Sequence, residues 1–198
     1  MTHTYETPTI ILGSTSVYRA ELLARLRLPF TKAKPEVDET PLSGEAPAAL
    51  AARLALAKAQ AVALDHPNAL VIGSDQVADL NGQPLGKPGN FERAVAQLTA
   101  MSGQLVIFHT AVALVCHESG FSQQDTAVVK VRFRDLSPAE IERYVLAEEP
   151  YDCAGSAKSE GLGVSLLASM DNDDPTALIG LPLIKTCNLL RAAGVMVP

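Results

Sequence analysis

Two short apolar runs, each closed by a glycine and followed by small polar residues, constrain the fold of this chain most strongly. Residues 9–12 lead into Gly13 and Ser14, and residues 69–73 lead into Ser74 and Asp75. Continuous apolar runs of this length are typical of strands that are buried on both faces of a sheet. Because helical patterns alternate with these runs, the sequence predicts an α/β protein.

Helix signals recur along the whole chain. Helices are predicted over residues 18–28, 43–64, 91–101, 138–149 and 182–193. The first follows the N-cap residue Ser16 and stops at Pro29. The fourth begins with Ser137 and Glu140 in capping-box spacing, with a proline at the first helical position.

The remaining strand signals indicate antiparallel pairing. Asn81 and Gly82 predict a tight hairpin between residues 77–80 and 84–85. Long strands are predicted over residues 104–116 and 125–134, and a shorter one near 164–167. The sequence therefore predicts a mixed twisted sheet with flanking helices. At 198 residues the chain fits a single domain spanning 1–198.

Composition removes several classes of function. A net charge of −6 disfavours binding to duplex nucleic acid, and the absence of tryptophan disfavours a base-stacking platform. Three widely spaced cysteines without CxxC pairs favour reduced thiols. The first 13 residues lack the basic start and long apolar stretch of a signal peptide, and no run approaches the ~18 apolar residues of a membrane span. We therefore expect a cytoplasmic protein that does not enter a membrane.

Several basic and hydroxyl side chains could bind an anion. Ser14 and Ser16 lie where a strand leads into a helix, and the N-terminus of a helix attracts phosphate. Arg19 follows in the first turn with a guanidinium suited to phosphate oxygens. Lys58 lies on the apolar stripe of its helix, and Lys87 lies in a stiff Gly-Lys-Pro-Gly loop. The alternatives are plain helix capping for the serines and a snorkelling side chain for Lys58.

Two carboxylates are candidates for catalysis or metal binding. Asp75 is predicted at the carboxyl end of a buried strand, where open α/β sheets place their ligands. Glu39 is predicted in a loop that follows a short strand. Together they could hold a hard divalent cation or activate a water molecule. At each of the two positions, a purely structural role in a turn or helix cap fits the sequence about as well as a catalytic or metal-binding role.

Six motifs in order resemble those of the Maf-like proteins, a family of nucleoside triphosphate pyrophosphatases. The resemblance runs from about Ile10 to the final helix. The motifs are Ser14-x-Ser16-x-x-Arg19, Val37-Asp38-Glu39-Thr40, Ser74-Asp75-Gln76, Gly86-Lys87-Pro88, Ala154-Gly155-Ser156 through Glu160-Gly161, and Gly180-Leu181-Pro182. The resemblance implies two lobes around a central cleft, related in shape to inosine triphosphate pyrophosphatases, and a possible homodimer.

The resemblance also implies a reaction and a substrate. Tyr18, Gln76 and Glu160 stand at the positions that distinguish the branch that hydrolyses 7-methyl-GTP, where tryptophan is usual at the first of them. The implied reaction is hydrolysis of the α–β phosphoanhydride, with Asp75 as proton acceptor. Lys58 and Lys87 would be catalytic, and Ser14, Ser16 and Arg19 would bind the substrate. A divalent cation, Mg²⁺ or Mn²⁺, would lie near Glu39 and Asp75.

Two other functions remain open at this point. One is a pyrimidine (dTTP/UTP) pyrophosphatase of the same family, which Gln76 and Glu160 oppose. The other is a nucleotide-binding regulator of cell division that turns nothing over. A protein that only binds triphosphate gains nothing from carboxylates beside the polyphosphate unless it needs a metal or a base, so the carboxylates favour an enzyme.

Overall fold

The computed structural model describes residues 8–198 and arranges them around one mixed sheet. The strands are β1 (Ile10–Gly13), β2 (Thr31–Ala33), β3 (Leu70–Leu80), β4 (Gln83–Leu85), β5 (Leu105–Cys116), β6 (Phe121–Phe133) and β7 (Leu167–Asp171). The helices are α1 (Val17–Ala24), α2 (Pro47–Asp65), α3 (Phe91–Met101), α4 (Pro138–Glu148) and α5 (Leu183–Ala192). The strand order is β2-β1-β3-β5-β6-β7, and β4 pairs with the outer part of β3.

The sheet combines parallel and antiparallel pairing. β1 runs parallel to both β2 and β3, whereas β3, β5, β6 and β7 pair antiparallel in turn. The hairpin at Asn81 and Gly82 joins β3 to β4. The predicted α/β class with a mixed sheet is confirmed.

The helices divide the sheet into two lobes. In the first lobe α2 packs on one face of β1, β3 and β5, and α1 and α5 pack on the other. In the second lobe α3 and α4 cover the outer parts of β5 and β6, on the same face as α1 and α5. The short helical turn Ala177–Ile179 contributes to both clusters on this face.

Several predicted boundaries are wrong: the second helix begins at Pro47 rather than residue 43, and β6 begins at Phe121 rather than residue 125. Three others have a visible cause. The first helix ends at Ala24 rather than residue 28, because Arg27 adopts a left-handed conformation (φ 56°). Residues 162–166 form a 3₁₀ turn, so the last strand begins at Leu167. The second apolar strand continues to Leu80, because β5 pairs with it without interruption. Asp75 therefore lies within β3 and not at its carboxyl end.

Helix α2 is 19 residues long and, by length and composition alone, is apolar enough to cross a membrane. This differs from the expectation that no such stretch exists. Half of its apolar window is buried inside the protein, and it carries Arg53 and Lys58. These features are those of a core helix. The expectation about a signal peptide depends partly on residues 1–7, which lie outside the described part of the chain.

Candidate active site

A cleft of about 860 Å³ is lined by every side chain that the sequence singled out. These are Ser14, Ser16, Tyr18, Arg19, Glu39, Lys58, Asp75, Gln76, Lys87 and Glu160. They come from α1, α2, β3 and four connecting segments. The fold thus brings all ten predicted residues to one place, while their individual roles stay predictions.

The cleft opens beside a stretch of β3 that has a neighbour on one side only. β1 pairs with β3 as far as Gly73, and β4 begins to pair at Ala78. Between these two points β3 is hydrogen-bonded to β5 alone. Asp75 lies in this stretch and is 7% exposed. The Asp75 carboxylate therefore lies in the cleft because β1 stops pairing with β3 at Gly73, and not because β3 ends there.

Lys58 links the two candidate carboxylates. Its Nζ donates to Asp75 Oδ1 at 2.7 Å and lies 2.9 Å from Glu39 Oε1. The lysine is only 4% exposed, so it does not snorkel to solvent. Burial raises the pKa of Asp75, and the charges of Lys58 and Arg19 oppose that rise. A carboxylate with a raised pKa that lines a cleft is suited to accept a proton.

Close packing of α2 on β3 sets the position of Lys58. A methyl group at Gly73 would overlap the carbonyl oxygen of Ala55 and lie 2.5 Å from the nitrogen of Ala59. Only glycine allows helix α2 to lie so close to strand β3. Lys58, on the same helix, consequently reaches Asp75 across a short distance.

The start of α1 forms a compact hydrogen-bonded group. Ser16 caps the helix by accepting from the Arg19 N–H at 3.4 Å. Ser14 Oγ accepts from the Ser16 N–H at 3.2 Å and from Arg19 Nη1 at 3.3 Å. Arg19 Nε donates to the Gly180 carbonyl at 2.9 Å, and burial lowers the pKa of this guanidinium. The guanidinium is thereby fixed beside the helix N-terminus.

Two further contacts in this region were missed from the sequence. Ser74 Oγ donates to Ala111 O at 2.8 Å and lies 3.2 Å from Gly180 O. The Gly180 carbonyl that accepts from Arg19 therefore also lies beside the Ser74 hydroxyl. Ser74 stands beside Asp75 in a motif that the sequence identified, but nothing local indicates its distant partner.

Gln76 is anchored through its amide nitrogen. Nε2 lies 2.9 Å from Thr110 Oγ1, 2.9 Å from Ala177 O and 3.0 Å from Leu178 O. These acceptors engage both amide protons, so a ligand can use only the amide oxygen. The predicted base contact of Gln76 is thus restricted to accepting a hydrogen bond.

Arg53 holds the loop that carries Glu39, which the sequence did not suggest. Its Nε and Nη2 donate to the two oxygens of Glu45 at 2.6 and 2.8 Å. Nη2 also donates to Thr40 O at 3.1 Å, next to Glu39. These hydrogen bonds lower the pKa of Glu45 to about 2. The bidentate geometry restrains the loop from which Glu39 lines the cleft.

An aromatic and acidic group lines another part of the cleft. Burial raises the pKa of Tyr18, the nearby carboxylates of Asp152 and Glu160 add to the rise, and the Lys158 ammonium opposes it. Partial burial raises the pKa of Glu160, and the carboxylates of Glu148 and Asp152 add to the rise. Burial also raises the pKa of Cys153 to about 12, so its thiol stays protonated and is unsuited to act as a nucleophile.

The charged side chains of the cleft form two groups. Arg19 and Lys58 lie with Asp75 and Glu39 near the start of α1, and Lys87 is exposed on the segment after β4. Asp152 and Glu160 are anionic and lie with Tyr18. Such an arrangement complements a ligand with a polyanionic end and an aromatic end that carries positive charge.

Within residues 8–198 no group of three or more histidine, cysteine or acidic side chains is arranged to hold a metal ion. Glu39 and Asp75 offer carboxylate oxygens on either side of one ammonium. Mg²⁺ is commonly bound by one or two carboxylates together with substrate phosphates. The two residues fit that requirement, provided that the substrate supplies the remaining ligands.

Comparisons with known proteins show the family of this chain. The family model described as Maf-like protein matches residues 9–193. A protein of Polaromonas sp. (strain JS666 / ATCC BAA-500) named 7-methyl-GTP pyrophosphatase is 68% identical over 96% of this chain and 88% of its own. A protein of the same name from Albidiferax ferrireducens is 66% identical over 95% of this chain and 94% of its own. The family match covers nearly the whole chain and all six motifs, and the chain belongs to the Maf-like protein family.

Proposed function

We propose that the protein is an enzyme that hydrolyses 7-methyl-GTP to 7-methyl-GMP and pyrophosphate. The observation that carries this proposal is the presence of two charged groups in one cleft: Arg19 and Lys58 with their carboxylate partners, and Tyr18 with Asp152 and Glu160. Methylation at N7 places a positive charge on guanine, and the triphosphate is strongly anionic. The names of the relatives at 68% and 66% identity support the same substrate.

The triphosphate would lie at the N-terminus of α1. Free N–H groups and the helix dipole attract phosphate there. Arg19 supplies a guanidinium whose orientation is fixed by Gly180, and Lys58 and Lys87 add positive charge. Ser14 and Ser16 contribute hydroxyl groups at the same point. Catalysis would be mostly electrostatic and positional, as is usual in phosphoryl transfer.

Asp75 would accept the proton from the water that attacks the α-phosphorus. Its raised pKa places the carboxyl closer to neutrality than that of an ordinary aspartate, which favours general-base action. This contribution is worth about 10²- to 10⁴-fold in rate. The Lys58 ammonium holds the carboxylate in place at 2.7 Å.

A divalent cation, Mg²⁺ or Mn²⁺, would be held by Glu39 and Asp75 together with phosphate oxygens of the substrate. When bound, it would neutralise phosphate charge and lower the pKa of a coordinated water. Arg53 supports this role by restraining the Glu39 loop through Thr40 and Glu45.

The base would stack on Tyr18. Glu160 would accept hydrogen bonds from guanine N1–H and the exocyclic amine, which uracil and thymine do not offer in that arrangement. The free amide oxygen of Gln76 would accept a further hydrogen bond. A cytoplasmic location, consistent with the free thiols of Cys116, Cys153 and Cys187, and a homodimer belong to the same proposal.

Phosphorus NMR of a reaction with 7-methyl-GTP and Mg²⁺ tests the proposal. We expect 7-methyl-GMP and pyrophosphate, and no 7-methyl-GDP or orthophosphate. A panel with GTP, dTTP and UTP should give the highest kcat/KM for 7-methyl-GTP. Preference for dTTP or UTP would assign the pyrimidine specificity instead. Binding without turnover of any triphosphate would support a regulator.

A further inference from the structure

Lys158 connects the base end of the cleft to α4. Its Nζ lies 5.6 Å from the centre of the Tyr18 ring and 2.9 Å from Glu148 Oε1. The first distance is within the range of a cation–π interaction, and the second is that of a strong ion pair. The hydrogen bond to Glu148 raises the pKa of Lys158, so the ammonium stays charged. Lys158 itself is not among the residues that line the cleft.

The backbone of Lys158 is fixed as firmly as its side chain. Its N–H donates to Tyr144 Oη at 3.0 Å, and Tyr144 Oη lies 3.1 Å from Ser156 O. Its carbonyl accepts from the N–H groups of Gly161 and Gly163 at 3.1 and 3.0 Å. The turn formed in this way carries Glu160 into the cleft.

Glu148 contacts both the Lys158 ammonium and the turn that follows Lys158. Its second oxygen accepts from the Leu162 N–H at 2.7 Å, and a methyl group at Gly161 would lie 2.6 Å from the same oxygen. The carboxylate is thus enclosed between the ammonium and the turn. Its negative charge offsets part of the positive charge of Lys158 beside Tyr18.

We propose that Lys158 is a positioning residue for base specificity: held by Glu148, it fixes the Tyr18 ring on which the base stacks. This inference rests on the proposed function, because it assigns Tyr18 to the base of 7-methyl-GTP. Lys158 acts through Tyr18 and does not touch the substrate. It should therefore affect binding of the base and leave the chemistry at the phosphates unchanged.

A double-mutant cycle tests the link between the two residues. Lys158→Met should raise KM for 7-methyl-GTP about three- to tenfold and leave kcat within about twofold. In a Tyr18→Leu background the same substitution should have no further effect. Lys158→Arg should restore KM, because arginine keeps both the charge and the contact with Glu148. Lys185→Met is the matched control, since Lys185 pairs with Asp125 and is similarly shielded.

A second measurement does not depend on turnover. In protein with ¹³C-labelled tyrosine rings, the NMR signals of Tyr18, assigned with the Tyr18→Leu variant, should shift in Lys158→Met and return in Lys158→Arg. Unchanged Tyr18 signals would overturn the inference, as would additive effects in the cycle or a loss confined to kcat. Absence of 7-methyl-GTP turnover in the wild-type protein would instead refute the proposed function, and the NMR result would still decide the role of Lys158.

Discussion

Lys58 and Asp75 form a buried ion pair, with Nζ and Oδ1 2.7 Å apart, at the point where the parallel neighbour of β3 ends. The lysine comes from α2 and the aspartate from the middle of β3. Glu39 approaches the same ammonium at 2.9 Å from a loop. The Lys58 ammonium is therefore shared by the two carboxylates, and a substitution at any of the three residues alters the electrostatic surroundings of Asp75.

Asp75→Asn should reduce kcat at least about 10²-fold, because asparagine cannot accept the proton. Folding should survive. The pKa of Asp75 is raised in the folded protein, so its stabilising contribution is present below the ordinary aspartate pKa and is lost as pH rises through the raised value. At neutral pH the uncharged asparagine therefore lowers the free energy of unfolding only slightly, and Glu39 still pairs with Lys58.

Steady-state kinetics measure the change in kcat, and a thermal melt measures the change in stability. Asp79→Asn in the same strand is the control, and a near-normal rate for Asp75→Asn would remove Asp75 from the mechanism.

Lys58→Gln should move the acidic limb of the kcat/KM profile to higher pH. The active form of Asp75 is the ionised one, and Lys58 lowers the pKa of this carboxyl against the effect of burial. Loss of the ammonium raises that pKa further, so activity falls at a higher pH as the solution is acidified. Lys87→Gln should weaken substrate binding without moving the limb. Identical profiles for Lys58→Gln and the wild type would contradict the role of Asp75 as base.

Tyr18→Leu and Glu160→Gln should lower kcat/KM for 7-methyl-GTP more than for UTP. The loss of the cation–π contact at Tyr18 predicts about a two- to thirtyfold decrease. Glu160→Gln removes the anion that pairs with the guanine edge. The measurement is kcat/KM for both nucleotides with each variant. Equal losses on the two substrates would show that neither residue reads the base.

Gly73→Ala should destabilise the protein by about 1–3 kcal/mol, because the added methyl group overlaps the backbone of α2 at Ala55. The displaced helix should also carry Lys58 away from Asp75 and lower activity. Chemical denaturation measures the change in the free energy of unfolding. Gly86→Ala, where an added methyl group meets no atom within 4 Å, is the matched control. Equal stability of the two variants would contradict the close packing of α2 on β3.

Removal of divalent metal with EDTA should abolish turnover, and Mg²⁺ or Mn²⁺ should restore it. Glu39→Gln should raise the metal concentration for half-maximal activity about tenfold or more, because one of the two protein carboxylates is lost. Glu36→Gln in the same loop, where the carboxylate pairs with Lys34 near the surface, should leave that concentration unchanged. Full activity in EDTA would refute the metal requirement.

The sequence by itself determined those features that depend on neighbouring residues. The capping box of Ser137 and Glu140 and the hairpin at Asn81 and Gly82 form as predicted, because their hydrogen bonds close within a few residues. Apolar runs predicted the buried strands β1 and β3, because a strand buried on both faces of a sheet has a continuous apolar sequence. Nine of the ten cleft residues lie within the motifs that resemble the family's, and Lys58 was singled out by its place on the apolar stripe of its helix; neither signal carries the geometry of the site.

Only the tertiary structure decided how these residues meet. Pairing with β5 extends β3 beyond Asp75, and the Arg19 guanidinium is fixed by a carbonyl 161 residues away. The contact of Lys158 with Tyr18 likewise joins distant segments. Local sequence preferences act over a turn or a strand, whereas these contacts exist only after helices and sheet have packed together. Packing of distant segments therefore sets the charge, burial and orientation on which the proposed chemistry depends.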